Sequence, residues 1–134
     1  MLLNGDYSIA GSLTVTGIVA SRTRRTKSIT IEFPSATENV AWFYTATALT
    51  IESAVAAVTG SSTPSVTVLI QSGSSRSSLT TTNISATAVT STSTGTTLTI
   101  ANAAIAAGSW VAITTSAQSG TVLDIGITIT VYDT

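Results

Sequence analysis

The sequence predicts an all-β protein: an antiparallel β-sandwich, jelly-roll-like, with an extended N-terminal arm. Three observations predict it. Val, Ile and Thr together supply 52 of the 134 residues, and these β-branched side chains are stiff at χ1 and favour extended backbone. Apolar residues recur at every second position rather than at the three and four spacing of a helix. Each such run is bounded by Gly, Pro or Ser clusters that form turns.

The arm comes first. Residues 1–27 carry a thin, glycine-punctuated series, Ile9-Ala10-Gly11-Ser12-Leu13-Thr14-Val15-Thr16-Gly17, and then the basic stretch Arg22-Thr23-Arg24-Arg25-Thr26-Lys27. Its few apolar residues hold no core alone, since isolated two-stranded elements are marginal in water. The expectation is an arm lying on another subunit or on its own body.

The body, residues 28–134, comes next as about eight or nine short strands. Ile29-Ile31-Phe33 alternate with Thr30 and Glu32, and the same period marks Val66-Val68-Ile70 and Leu98-Ile100. It is clearest in Ile125-Ile127-Ile129-Val131 against Gly126, Thr128, Thr130 and Tyr132, a strand with one buried face. Turns are expected at Pro34-Ser35, Gly60 to Pro64, Gly73 to Ser75, Gly95, Gly108-Ser109 and Ser119-Gly120. Glu52 to Val58 and Asn102 to Ala107 are Ala-rich and leave room for at most one short helix. Two one-sided sheets bury their faces against each other in a sandwich or jelly roll; a small closed barrel is the alternative.

Composition narrows the function classes. Ser and Thr number 48, only 8% of residues are charged, and the net charge is −1. Solubility therefore rests on hydroxyls, and no field gathers nucleic acid or anionic lipid. At 43% hydrophobic the chain is a folded one. The opening Met1-Leu2-Leu3-Asn4-Gly5-Asp6 lacks the basic and apolar regions of a secretory signal. The longest apolar runs are five residues, against about 20 for a bilayer-crossing helix. The expectation is a soluble product.

Cysteine and histidine are both absent. Disulfides, thiolate chemistry and Ser-His-Asp or Cys-His catalysis are excluded by that alone. A carboxylate pair for glycoside hydrolysis would have to come from Asp6, Glu32, Glu38, Glu52, Asp124 and Asp133, and no spacing among them brings two together. No acidic loop suited to a hard metal ion and no glycine-rich phosphate cradle is present in the sequence. The reading is no enzyme and no cofactor.

Two features remain as candidate sites. Arg22, Arg24, Arg25 and Lys27 are four of the five basic residues. They suit contact with an acidic protein surface, a nucleic-acid backbone or a solvated hinge. Alternation puts Trp42 and Tyr44 on one face and Phe43 on the other; with Trp110 they suit core or subunit packing, or a platform that stacks on a sugar ring. The hydroxyl-rich stretch from Ser72 to Gly95 reads as exposed loops or edge strands, with a ligand surface as the rival.

The segment Ser62-Thr63-Pro64-Ser65-Val66-Thr67-Val68-Leu69-Ile70-Gln71-Ser72-Gly73, followed by Ser75-Arg76-Ser77, resembles a β-rich module of tailed-phage virion proteins. So does the stretch from Ala107-Gly108-Ser109-Trp110-Val111 to Gly126-Ile127-Thr128-Ile129, while Ile9 to Gly17 is similar to the short strands of phage fibre and decoration proteins. The resemblance implies a homotrimeric jelly-roll-like module on the capsid exterior. There it would cement the shell through contact with the major capsid protein, with the arm residues Arg22, Arg24, Arg25 and Lys27 touching the capsid floor. The alternative it implies is a receptor- or glycan-binding module of a tail fibre or adhesin. Long coiled-coil heptads and collagen-like repeats, which fibres carry, are missing from the sequence.

Overall fold

The computed structural model describes residues 23–134. The strand expected around Leu13 and Val15, the contact residue Arg22 and most of the arm lie outside the described residues. Within them the protein is an all-β antiparallel sandwich, and no helix forms.

The seven strands among the described residues are β1 (Arg24–Glu32), β2 (Glu38–Thr45), β3 (Leu49–Gly73), β4 (Thr81–Thr90), β5 (Thr96–Thr97), β6 (Ala104–Ile105) and β7 (Ser109–Asp133). Two of them, β3 and β7, run for 25 residues each and pair with one another along nearly their whole length, from Leu49 opposite Asp133 to Gly73 opposite Trp110. Both bend midway, so each contributes one leg to either side of the sandwich. Residues 49–61 of β3 and 121–133 of β7 lie with β1, β5 and β6; residues 65–73 and 109–119 lie with β2 and β4. Two facing sheets connected in this order make a jelly roll.

The bends explain why turn residues at Gly60 to Pro64 and Ser119-Gly120 did not end a strand. The β3–β7 register slips between Ser61 and Ser65, and Ser62, Thr63, Ala117 and Gly120 all adopt positive φ there. The ladder turns a corner through these residues instead of terminating. Gly120, at φ 67°, is the tightest point: a Cβ there would sit 2.4 Å from the Ser62 carbonyl oxygen.

One core joins the two sheets. Ile125, Ile127, Ile129 and Val131 supply its β7 row, Val66, Val68 and Ile70 its β3 row, with Val111, Ile113, Ile84 and Val89 opposite. The Ala-rich segment Glu52 to Val58 is strand rather than helix, because Ala54, Ala56 and Val58 alternate into this core. Asn102 to Ala107 is likewise not helical; it is loop around the two residues of β6.

Two boundaries differ from expectation. β1 begins at Arg24, so residues 24–27, read from sequence as arm, pair with β7 from Tyr132 to Ile129. Phe33, expected to continue the buried row of Ile29 and Ile31, instead leaves the strand at φ 46° and is 73% exposed. Its backbone N–H donates to the Leu123 carbonyl at 2.7 Å, which ties the corner between the sheets to β7.

Gly120→Ala should lower unfolding free energy by more than about 2 kcal/mol, from strained φ plus a backbone clash. Gly126→Ala, on β7 with nothing within 4 Å of the added carbon, should be neutral or stabilise by up to about 1 kcal/mol. Urea denaturation midpoints of the two variants against the parent measure both.

Candidate functional site

The two long sides of the sandwich differ. On one, β4 is stitched to the segment that carries β6. Asn83, fully buried, donates through Nδ2 to the Asn102 and Ala104 carbonyls at 3.0 Å each, and backbone bonds link Ser85 to Thr99 and Ala101 to Asn83. This is the hydroxyl-rich region of the sequence; it forms the edge strand β4 flanked by exposed loops.

The opposite side carries the edge strands β1 and β2, and here the sheets part. The register places Arg25, Lys27, Ile29 and Ile31 of β1 beside the buried Val131, Ile129, Ile127 and Ile125. One inward row thus passes from charged to apolar along its length. A cleft of about 230 Å³ opens at the charged end, lined by Arg25, Lys27, Phe43, Tyr44, Thr45 and Leu49 among others. An inward-pointing lysine on an edge strand also blunts unwanted strand addition.

The basic residues divide by face. Arg24 points outward, and its Nε donates to Glu52 Oε2 at 2.6 Å across the intervening β7. Glu52 is available because it is the extra residue of a bulge, the register passing from Ile51 to Ser53. Arg25 pairs through Nη2 with Asp133 Oδ1. The Lys27 ammonium lies 5.1 Å from the centre of the Phe43 ring, a cation–π contact from one sheet to the other.

The aromatics also divide. A bulge between Ala41 and Phe43 makes Trp42 the extra residue of β2, so strict alternation, which put Trp42 with Tyr44, does not hold. Trp42 meets the Phe43 ring edge-on at 5.4 Å, and both pack on the core. Tyr44 stands opposite Trp110, their rings 5.3 Å apart and tilted by 55°. Tyr44 is 52% exposed, so this cross-strand pair, like the Phe33 ring at the corner, presents aromatic surface to solvent.

The acids hold a surprise for sequence spacing: Glu32 and Asp124, 92 positions apart in number, are direct cross-strand partners of β1 and β7. Two carboxylates are therefore brought together after all. They lie on the outer face beside the exposed corner, away from the cleft, and Asp124 accepts a bond from the Thr59 hydroxyl at 2.8 Å. Among the described residues no group of three or more potential metal ligands forms. No sequence signal marked Glu32 with Asp124, because only the β1–β7 register joins them.

Two other carboxylates are held below their ordinary range. Glu38 accepts bonds from the hydroxyl and the backbone N–H of Ser35, the hydroxyl contributing most. Glu52 is lowered chiefly by the bond from Arg24 and further by its charge, against partial desolvation. A depressed carboxyl stabilises the fold above its unfolded value, and that contribution is lost as pH falls through the folded one. Both carboxyls should titrate below an ordinary glutamate when followed by NMR. Ser35→Ala should raise Glu38 alone and Arg24→Gln should raise Glu52 alone. The stability difference between the parent and Glu52→Gln, present at neutral pH, should vanish once pH drops below the Glu52 midpoint.

Comparison with protein families, with curated proteins and with solved structures yields no match.

Proposed function

We propose that this chain is a structural virion protein that decorates and cements a tailed-phage capsid, as a homotrimer in contact with the major capsid protein. The observation that carries the reading is the corner between the sheets. Phe33, 73% exposed, is held in a left-handed conformation that a phenylalanine rarely adopts, beside Leu123, itself 47% exposed. A backbone conformation of this kind costs on the order of 1–3 kcal/mol, and here the result is an apolar ring displayed to solvent. A strained residue that displays an apolar ring is suited to a contact role, and this supports the reading.

The jelly-roll order of the strands and the virion-like segments from Ser62 to Gly73 and Ala107 to Ile129 support the same reading. The outward Arg24, with Arg22 preceding the described residues, is suited to an acidic capsid surface. Subunits that bind only the assembled shell stabilise it by mass action. Capsids carrying the protein should therefore keep their integrity to a higher temperature than capsids stripped of it. Equal melting of the two in a light-scattering or calorimetric scan would remove the cementing role.

A second reading, a glycan-binding module of a fibre or adhesin, is favoured by the half-exposed Tyr44 beside Trp110. Tyr44→Ala should abolish any glycan-array signal that the parent gives; an array on which the parent binds nothing disposes of this alternative.

A further inference from the structure

The described part of the molecule is polarised along β1. Near one end lies the cleft with Lys27 and Arg25 at its mouth; at the other stand Glu32 and Asp124 with Phe33 and Leu123 beside them. We infer that these two ends are complementary, and that copies of the chain associate head to tail, the Phe33 corner of one copy entering the cleft of the next. The inference rests on the homotrimer of the proposed function and names the surfaces that build it.

Three features argue for a second copy as occupant. The first is charge. Like charges set directly opposite each other in a sheet are destabilising, so the fold gains nothing from placing Glu32 against Asp124. Among the described residues neither pairs with a cation, and Lys27 has no carboxylate partner, only the Phe43 ring. Bringing the two ends together provides both halves.

The second is shape. An apolar cavity of roughly 150 Å³ accepts a benzene molecule, and the cleft, at about 230 Å³, has room for the Phe33 ring against Phe43 and Leu49. Aromatic rings at such a contact gain from edge-on or offset stacking as well as from burial.

The third is topology. The cleft and the corner are different patches of one surface, so the contact is heterologous. It generates a ring where the rotation between copies closes and a filament where it does not; a trimer is the ring of three. Lys27 is thereby turned toward a neighbouring copy, while Arg24 stays on the outer face, bonded through Nε to Glu52.

Charge reversal tests this on the full chain. Sedimentation of the parent should give a trimer, and Glu32→Lys and Lys27→Glu should each weaken association by more than about tenfold with an unchanged far-UV circular dichroism spectrum. An equimolar mixture of the two variants should associate again, because the reversed charges attract across the same contact. If Lys27→Glu does not fold, Phe33→Ser, which changes only an exposed side chain, takes its place and should dissociate the trimer as well. Folded Glu32→Lys that keeps the parent's mass, or a mixture of folded variants that stays monomeric, overturns the interface and leaves the homotrimer standing on other surfaces. A parent chain that is monomeric at all concentrations and joins no capsid overturns the interface and the proposed function together.

Discussion

The pairing of β3 with β7 is the constraint on which the rest of the structure depends. These two strands run through both sheets, and each remaining strand hangs on one of them: β1 and β2 on β7, β4, β5 and β6 on β3. The pair can serve both sheets only by bending both strands at the same level. The left-handed residues Ser62, Thr63, Ala117 and Gly120 do this, and Gly120 permits the close approach of the Ser62 carbonyl. A side chain at that point would force the two legs apart and separate the layers whose rows fill the core. Because Leu49 must find Asp133 across most of the body, much of the loop-closure entropy is lost before the core rewards it, as in other folds of high contact order.

A sandwich built this way has two lateral openings, and the chain treats them differently. Asn83 closes one by donating from Nδ2 to two backbone carbonyls that an apolar residue would leave without these donors, while its own Oδ1 is buried without a partner among the described residues. The other is left ajar by substituting Arg25 and Lys27 for the apolar residues that the inward row of β1 would otherwise continue. The cost is lost burial at one corner of the core. The gain is an edge strand that resists indiscriminate pairing and a cleft with a cationic rim.

Much of the fold was legible in the sequence, because period two is a direct imprint of a one-sided sheet. The Ile125 to Val131 row and the Val66 to Ile70 row lie where alternation put them, with less buried residues, mostly threonines, between. What alternation could not express was irregularity. The bulge at Glu52 shifts the buried set from Leu49 and Ile51 to Ala54 and Ala56, and the bulge at Trp42 separates it from Tyr44. Each inserts one residue and reverses the parity of the positions C-terminal to it. Phe33 was misplaced for a related reason: strand and corner share the same local composition, and only tertiary geometry decides that the chain turns at that residue. The candidate site was legible in its parts, Lys27 with Arg25 and the aromatics near Tyr44, but not in its assembly, since the juxtaposition of β1 with β2 across the sandwich is a property of topology.

The scarcity of charge gives those few charges unusual authority. Across the outer face of the first sheet, hydroxyls bond to one another, Ser28 to Thr128 at 3.0 Å and Thr50 to Thr134 at 2.9 Å. A surface of mutually satisfied hydroxyls can be covered by a neighbour at little desolvation cost, yet it discriminates poorly, because one Thr-rich face suits another in many registers. Orientation must then come from something rarer. On β1 the charged groups sit near the two ends with opposite sign, Arg24, Arg25 and Lys27 against Glu32, with only Thr, Ser and Ile between. In the proposed assembly the hydroxyl faces supply tolerant area, and this polarity suppresses wrong registers through like-charge contact, which costs several kcal/mol when desolvated. A more highly charged surface would blur that distinction by offering many partly favourable alternatives, so the low charge content of the chain is consistent with selective assembly.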